Sequence, residues 1–304
     1  MLDRKILEQA ARHCRVAPRR PLDLTRHPTD WLPGPPRGKN GKAALKDSAE
    51  ELLAESRQRL ADAQELLWAD DRYALLLIFQ GLDAAGKDGI IKHVMDGVNP
   101  LGCHVTAFKA PSAEELDHDF LWRCVAHLPE RGRIGLFNRS YYEEVLVVRV
   151  HPAYLEGQKL PPEPSGEALW AERFQSIRAF ERHLGANGTA VRKFFLNVGF
   201  EEQRQRLLER IEDPKKFWKF NPGDAAERAH WKAYQAAFAE ALAATSTAEA
   251  PWYVIPADHK WFARALVAHI VCETIAGLGL AWPEPTADDS KAMAAAKKAL
   301  RKSR

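Results

Sequence analysis

The chain has 304 residues, 46% hydrophobic and 28% charged, with 44 Lys and Arg against 41 Asp and Glu. That length holds one large α/β core or two small ones, and the composition is that of an ordinary globular protein. A formal net charge of +3 is too small to make nucleic acid a general partner, and no apolar run approaches a membrane span, so neither is expected to be bound.

Residues 1–15 read as a short helix. Proline and glycine crowd the stretch from Pro18 to Gly41, which predicts an extended arm. Residues 1–45 carry ten Lys and Arg against four Asp and Glu, so 1–44 is taken as a basic N-terminal arm. A long amphipathic helix follows from Leu45 to Trp68, with Leu45, Leu52, Leu53, Leu60 and Leu67 at helical spacings, suited to core packing or to pairing with a second copy. After Asp70 the pattern turns to strand–helix alternation. Tyr73–Gln80 is a continuous apolar run, as expected of a parallel strand buried on both faces. Helix is predicted over Lys87–Val98, strand over Cys103–Lys109, and helix over Ser112–His127, opened by a capping box of Ser112 and Glu115. Strand at Arg133–Asn138, helix at Tyr141–Val150 and a loop at 152–166 come next. Then follow helix at Ala168–Leu184, strand at Val191–Val198, and helices at Glu201–Ile211 and Ala225–Ala244. Strand Trp252–Pro256 and helix Trp261–Ala276 close the pattern. The fold class is therefore α/β, a doubly wound parallel five-stranded sheet flanked by helices, and one domain over 45–280. Residues 281–304 form a tail whose last fourteen positions hold six Lys and Arg and no acid. Cys14, Cys103, Cys124 and Cys272 form no C-x-x-C pair, which argues for reduced thiols and against zinc. No signal-peptide core follows Met1, and a cytoplasmic protein is expected.

The chemistry begins at Gly81-Leu-Asp-Ala-Ala-Gly-Lys-Asp-Gly89. Gly81, Gly86 and Lys87 occupy the positions of a P-loop, G-x-x-x-x-G-K, between a predicted strand and a predicted helix, where the motif must lie to cradle phosphates. Backbone N–H groups of the loop and the helix N-terminus would then face an anion, with Gly81, Ala84, Ala85, Gly86, Gly89 and Asn138 as the expected binding residues. Two acids are built into this cradle. Asp88 stands where Ser or Thr usually helps hold magnesium, and Asp83 lies inside the loop. Beside phosphate oxygens they would repel unless a cation lies between. The third strand ends in neutral Asn138, where a P-loop enzyme usually has an Asp. Two readings follow: a dead kinase, or one whose metal site has moved to Asp83, Asp88 and the Glu143–Glu144 segment. Arg139 suits either charge stabilisation on a transferring phosphoryl group or a structural ion pair. Arg204, Arg206, Arg210, Lys215, Lys216 and Lys219 form a basic cluster interleaved with acids. It reads either as a salt-bridged surface helix or as a lid, at about 201–224, that closes over phosphates.

These residues resemble the type 2 polyphosphate kinases. The likeness runs from about Glu50 to Gly277. Besides the loop it rests on Phe108-Lys-Ala-Pro111, His118-Asp-Phe-Leu-Trp-Arg123, Phe137-Asn-Arg-Ser140, Tyr142-Glu143, Trp218-Lys-Phe220 and Pro251-Trp-Tyr-Val-Ile-Pro-Ala-Asp-His-Lys260. The resemblance implies a P-loop kinase fold with a helical lid, and magnesium as cofactor. It implies reversible phosphoryl transfer between inorganic polyphosphate and AMP or ADP, giving ADP or ATP. It places Asp83, Lys87, Asp88, Arg139, Glu143 and Glu144 in the catalytic site, with Asp83, Asp88 and Glu144 on the metal. Lys87, Lys92, Lys109 and Arg123 match positions suited to a polyphosphate channel, and Arg206 and Arg210 match the lid. Asn138 with Tyr142-Glu143 resembles the subgroup that phosphorylates both AMP and ADP; that subgroup has Asp where this chain has Glu144. Homo-oligomers are expected. The rival readings are an ATP-dependent nucleoside monophosphate kinase and a non-catalytic polyphosphate- or nucleotide-binding module.

Overall fold

The computed structural model describes residues 2–34 and 41–302; the Pro35–Asn40 part of the predicted arm lies outside them. Helix α1 (Arg4–Cys14) starts on an Asp3 cap and buries Leu7, Ala10 and Cys14. The chain then runs along the sheet: Arg15 bridges Tyr253 in antiparallel fashion, Val16 N–H donates to the Trp252 carbonyl, and Thr29 Oγ1 donates to Asp258. The described residues of the N-terminal segment are thus tied to the sheet as far as Thr29, and its first helix belongs to the core.

Helix α2 (Gly41–Asp70) is longer than the predicted 45–68. It turns Leu45, Leu53, Leu60 and Leu67 inward, so its apolar stripe serves packing within this chain. Five strands follow in one parallel sheet: β1 (Ala74–Gln80), β2 (Cys103–Ala107), β3 (Ile134–Asn138), β4 (Thr189–Asn197) and β5 (Trp252–Pro256). Their spatial order is β2-β3-β1-β4-β5, with β1 central and every pairing parallel. Leu75, Leu77 and Phe79 of β1 enter one core, with α1, α2 and the later helix α11 (Lys260–Ala276). Leu76 and Ile78 enter the other, under α7 (Gly166–Ala186) and α10 (Trp231–Thr245). Burial on both faces is why this strand reads as an unbroken apolar run.

The remaining helices depart from the periodic pattern in informative ways. α3 (Lys87–Val94) stops before Gly97, whose φ is 88°. The Ser112–Glu115 capping box forms, but the predicted single helix breaks into α4 (Ala113–Leu116) and α5 (Trp122–Val125). Asp119 causes the break by accepting from Leu121 N–H, an Asx-type bond that competes with helix continuation. Tyr141–Val145 is a 3-10 turn, and only α6 (Val147–Val150) is α-helical. α8 (Phe200–Glu212), a 3-10 turn at Phe217–Lys219 and α9 (Pro222–Glu227) span the predicted lid. The tail contains α12 (Ala287–Lys302), which buries no residue. No helix among the described residues is long and apolar enough to cross a membrane.

Candidate active site

In a doubly wound sheet the crevice beyond the strand C-termini opens where connections leave a strand in opposite directions. Here that strand is β1, with β3 on one side and β4 on the other. The turn from β1 into α3 carries Gly81 to Gly86. A side chain at Gly81 would place its Cβ 3.0 Å from the Leu196 carbonyl, so only glycine lets the loop lie against β4. Gly86 adopts φ 107° as the N-cap of α3, and Ala84 takes φ 61°. The first-turn N–H groups of α3 have no intrahelical acceptor, and the N-terminus attracts anions.

A cleft of about 560 Å³ opens over this loop. Its walls include Asp83 to Ile90, Asn138 and Arg139 from the end of β3, Arg206 and Arg210 from α8, and Lys216 and Lys219 beyond it. Asp224 lies in α9, and Lys260 and Arg264 lie on the first turns of α11. Lys87 is buried, with Nζ donating to the carbonyls of Gly81 at 2.6 Å and Leu82 at 3.2 Å. Desolvation, reinforced by nearby Arg139, brings its pKa down to about 8. Burial pushes the Asp88 carboxyl up, but the Asn138 amide at 2.7 Å and Lys219 at 3.6 Å outweigh it and hold the pKa below the usual range.

Arg139 has a left-handed φ of 64°, a rare conformation for a side-chain-bearing residue and one found at functional sites. Its guanidinium donates to Asp83 Oδ1 at 2.5 Å and Glu143 Oε2 at 2.8 Å. These carboxylates, Glu143 foremost, raise its pKa. Arg139 is thus ion-paired and also exposed to the cleft. A second, narrow cavity of about 20 Å³ is lined by Gly81, Leu82, Glu143, Glu227, Trp231 and Tyr234 among others. Asp83 and Arg139 line both spaces, and so form the partition between them.

The structure brings Asp83, Lys87, Asp88, Asn138, Arg139, Arg206 and Arg210 together with Ala84, Ala85, Gly86 and Gly89, while Gly81 and Glu143 line the second cavity. It does not bring Glu144. That side chain is buried, with Oε2 accepting from Gln158 at 2.6 Å and Arg173 at 3.3 Å, and it lines neither cavity. Burial raises its pKa against the pull of Arg173. The sequence suggested a helix after Ser140; the structure has a 3-10 turn there, from which Glu143 reaches Arg139 while Glu144 turns to Gln158 and Arg173. Lys92, Lys109 and Arg123 also lie outside the cleft lining. Arg123 instead clamps the Lys109 carbonyl at 2.8 Å and Glu115 at 3.2 Å. Conversely, Lys260 and Arg264 line the cleft, although in the sequence Lys260 stood out only as the end of a family motif and Arg264 not at all. Their signal was present: two cations four apart, one helical turn, just after the last strand.

Among the described residues no group of three or more His, Cys, Asp or Glu is placed to hold a metal. Asp83 and Asp88 nevertheless suit a hard divalent cation that keeps several waters and takes its other ligands from substrate phosphates.

A β1–loop–α3 cradle with a buried lysine, at the switch point of a parallel sheet and walled with cations, defines a P-loop phosphotransferase of the kinase type. Comparison with known proteins narrows the class. The polyphosphate kinase 2 (PPK2) model matches residues 43–279, and the chain belongs to that family. It is 52% identical over 242 residues to the ADP-polyphosphate phosphotransferase of Rhodopseudomonas palustris, covering 79% of this chain and 84% of that protein. It is 45% identical to the AMP/ADP-polyphosphate phosphotransferase of Meiothermus ruber, covering 81% and 88%. The crystal structure of polyphosphate kinase 2 from Arthrobacter aurescens TC1 superposes with a TM-score of 0.80 at 38% identity, covering 94% of this chain and 96% of that one.

Proposed function

We propose that this protein is a polyphosphate-dependent nucleotide kinase that moves a terminal phosphoryl group between inorganic polyphosphate and AMP or ADP, yielding ADP or ATP, reversibly. The observation that carries the reading is the charge of the P-loop cleft, lined by eight Lys and Arg side chains against four Asp and Glu. The cations are not confined to the phosphate loop: Lys216, Lys219, Lys260 and Arg264 continue them along the cleft wall, which suits a long phosphate chain. In the forward step, the terminal P–O bond of polyphosphate breaks as a terminal phosphate oxygen of the nucleotide forms a new P–O bond. The electron pair of the broken bond stays on the shortened polyphosphate. The attacking oxygen is already anionic, so no general base is required. Positioning and charge stabilisation carry the rate.

Polyphosphate occupies the large cleft, and the acceptor phosphate approaches from the second cavity. Arg139 at the partition stabilises the equatorial oxygens, held in place by Glu143. Lys87 exchanges its carbonyl partners for phosphate oxygens, and Arg210, Lys216, Lys219, Lys260 and Arg264 line the route of the chain. Mg²⁺ held by Asp83 and Asp88 would neutralise phosphate charge and orient the transferred group. Asn138 fixes Asp88 for that role.

The test is to supply the purified protein and Mg²⁺ with polyphosphate and, in parallel, AMP, ADP or GDP, with an AMP-plus-ATP control, and to separate products by chromatography. ADP and ATP formed from polyphosphate support the proposal. Product formed only when ATP is the donor would overturn it.

A further inference from the structure

Arg206 lies in the cleft wall and belongs to the basic cluster, yet its side chain is buried. A guanidinium has five N–H donors and no acceptor. Here all five are engaged. Nε donates to Glu202 Oε1 at 2.7 Å. Nη1 donates to the carbonyls of Ala84 at 3.1 Å and Ala85 at 3.0 Å. Nη2 donates to the carbonyls of Ala257 at 2.6 Å and Asp258 at 3.3 Å. Nothing is left with which to bind a phosphate unless a bond to buried backbone is broken. One turn earlier on α8, Gln203 Nε2 donates to the Asp83 carbonyl at 3.0 Å. Three consecutive carbonyls of the phosphate loop, at Asp83, Ala84 and Ala85, are therefore held by α8.

The peptide unit is planar and trans, so a carbonyl and the following N–H point in opposite directions. Fixing the Asp83 and Ala85 carbonyls against α8 fixes the N–H groups of Ala84 and Gly86 to face away from it. Without those donors the loop, with its left-handed Ala84 and Gly86, would have unpaired carbonyls and freedom to flip peptides. We infer that Arg206, supported by Gln203, is a positioning residue that sets the phosphate loop, and that it does not contact polyphosphate. The inference rests on the proposed phosphoryl transfer and deepens it. The start of α8 is tied to the loop and to the end of β5, so it moves with the sheet. Closure over substrate is then confined to the chain beyond Arg206.

The experiment compares the wild type with Arg206→Met, Arg206→Lys, Gln203→Leu and, as a cleft cation not bonded to the loop, Arg210→Met. Each is assayed with tripolyphosphate and with long-chain polyphosphate. Amide hydrogen exchange is followed across residues 81–89. Displacing a reacting group by about 1 Å costs on the order of 10²-fold in rate. Arg206→Met should therefore lose about that factor in kcat, equally for both donors, with faster exchange in the loop. Arg206→Lys should not rescue it, because one ammonium cannot span five acceptors. Arg210→Met should instead raise KM, more for the long donor, and leave loop exchange unchanged. A KM rise confined to long polyphosphate in Arg206→Met, with kcat and exchange kept and Arg206→Lys behaving as wild type, would overturn the inference. Should Arg206→Met fail to fold, Gln203→Leu decides: a smaller, donor-independent fall in kcat with faster loop exchange supports the inference, and wild-type kcat and exchange refute it. A wild type inert with polyphosphate would sink the functional proposal separately, while the exchange data still judge the loop's support.

Discussion

Lys87 sits in its own loop's carbonyls with a pKa brought down to about 8 by burial. In the free enzyme it loses its charge as pH rises through that value, so kcat/KM for polyphosphate should fall above about pH 8. Bound phosphate favours the charged lysine, so the corresponding limb in kcat should lie higher. Stability runs the other way. The folded pKa lies below the unfolded 10.5, so the unfolded chain binds more protons between about pH 8 and 10.5, and this residue's contribution to stability rises with pH there. A pH–rate profile beside a pH series of urea melts checks both slopes. If activity and stability fall together across that window, the limb belongs to unfolding and not to Lys87. Asp83 is the other decisive residue, since it pairs with Arg139 at the partition between the two cavities. Asp83→Ala should fold yet lose about 10³-fold in turnover, measured as polyphosphate-driven ATP synthesis. Near-normal synthesis would remove both its metal role and its hold on Arg139.

At the scale of elements, the strands and the P-loop were legible because burial on both faces of a parallel sheet writes itself as apolar runs, and glycine spacing records backbone constraint. The short helices were less so. Asp119 and the 3-10 turn at Tyr141–Val145 change direction through local hydrogen bonds that periodicity does not register. Glu144 illustrates the cost of that gap: adjacent to Glu143 in sequence, it faces Arg173 and Gln158 instead of the loop acids. Arg206 is a second case, because a buried and a solvated arginine look alike in a sequence. Glu144→Gln should therefore destabilise the fold, by about 3 kcal/mol if it behaves as a broken buried pair, while the Mg²⁺ concentration for half-maximal activity stays unchanged. A shift in that concentration without loss of stability would return Glu144 to the metal site.

Across the whole molecule, the two cores differ in kind. The face with α2 and α11 is a mixed aliphatic and aromatic core, with Phe79, Phe194 and Phe262 among its leucines and alanines. The face with α7 and α10 encloses Lys193, whose Nζ donates to Glu181 at 2.5 Å, the Thr245 carbonyl at 2.9 Å and Tyr142 Oη at 3.0 Å. Tyr141 and Tyr142 hydroxyls donate to the same Glu181. This network anchors the turn that carries Glu143. Lys193→Met alone leaves a buried carboxylate without its cation and should cost about 4 kcal/mol. The double replacement Lys193→Met with Glu181→Leu should recover much of that loss, as a urea-melt double-mutant cycle would read. Equal losses in single and double variants would mean that the tyrosines, not the ion pair, dominate.

The cleft lining has one further consequence. Its eight cations against four carboxylates hold a local surplus of four, although the whole chain nets only +3. The cleft is in effect a loaded ion-exchange port. Small anions must populate that port when substrate is absent, and polyphosphate carries its own condensed cations. Each binding event discharges both sets into solvent, and the entropy of that release shrinks as bulk salt rises. Apparent affinity for polyphosphate should then drop steeply with ionic strength, most sharply for the longest chains, while the chemical step inside the cleft is little changed.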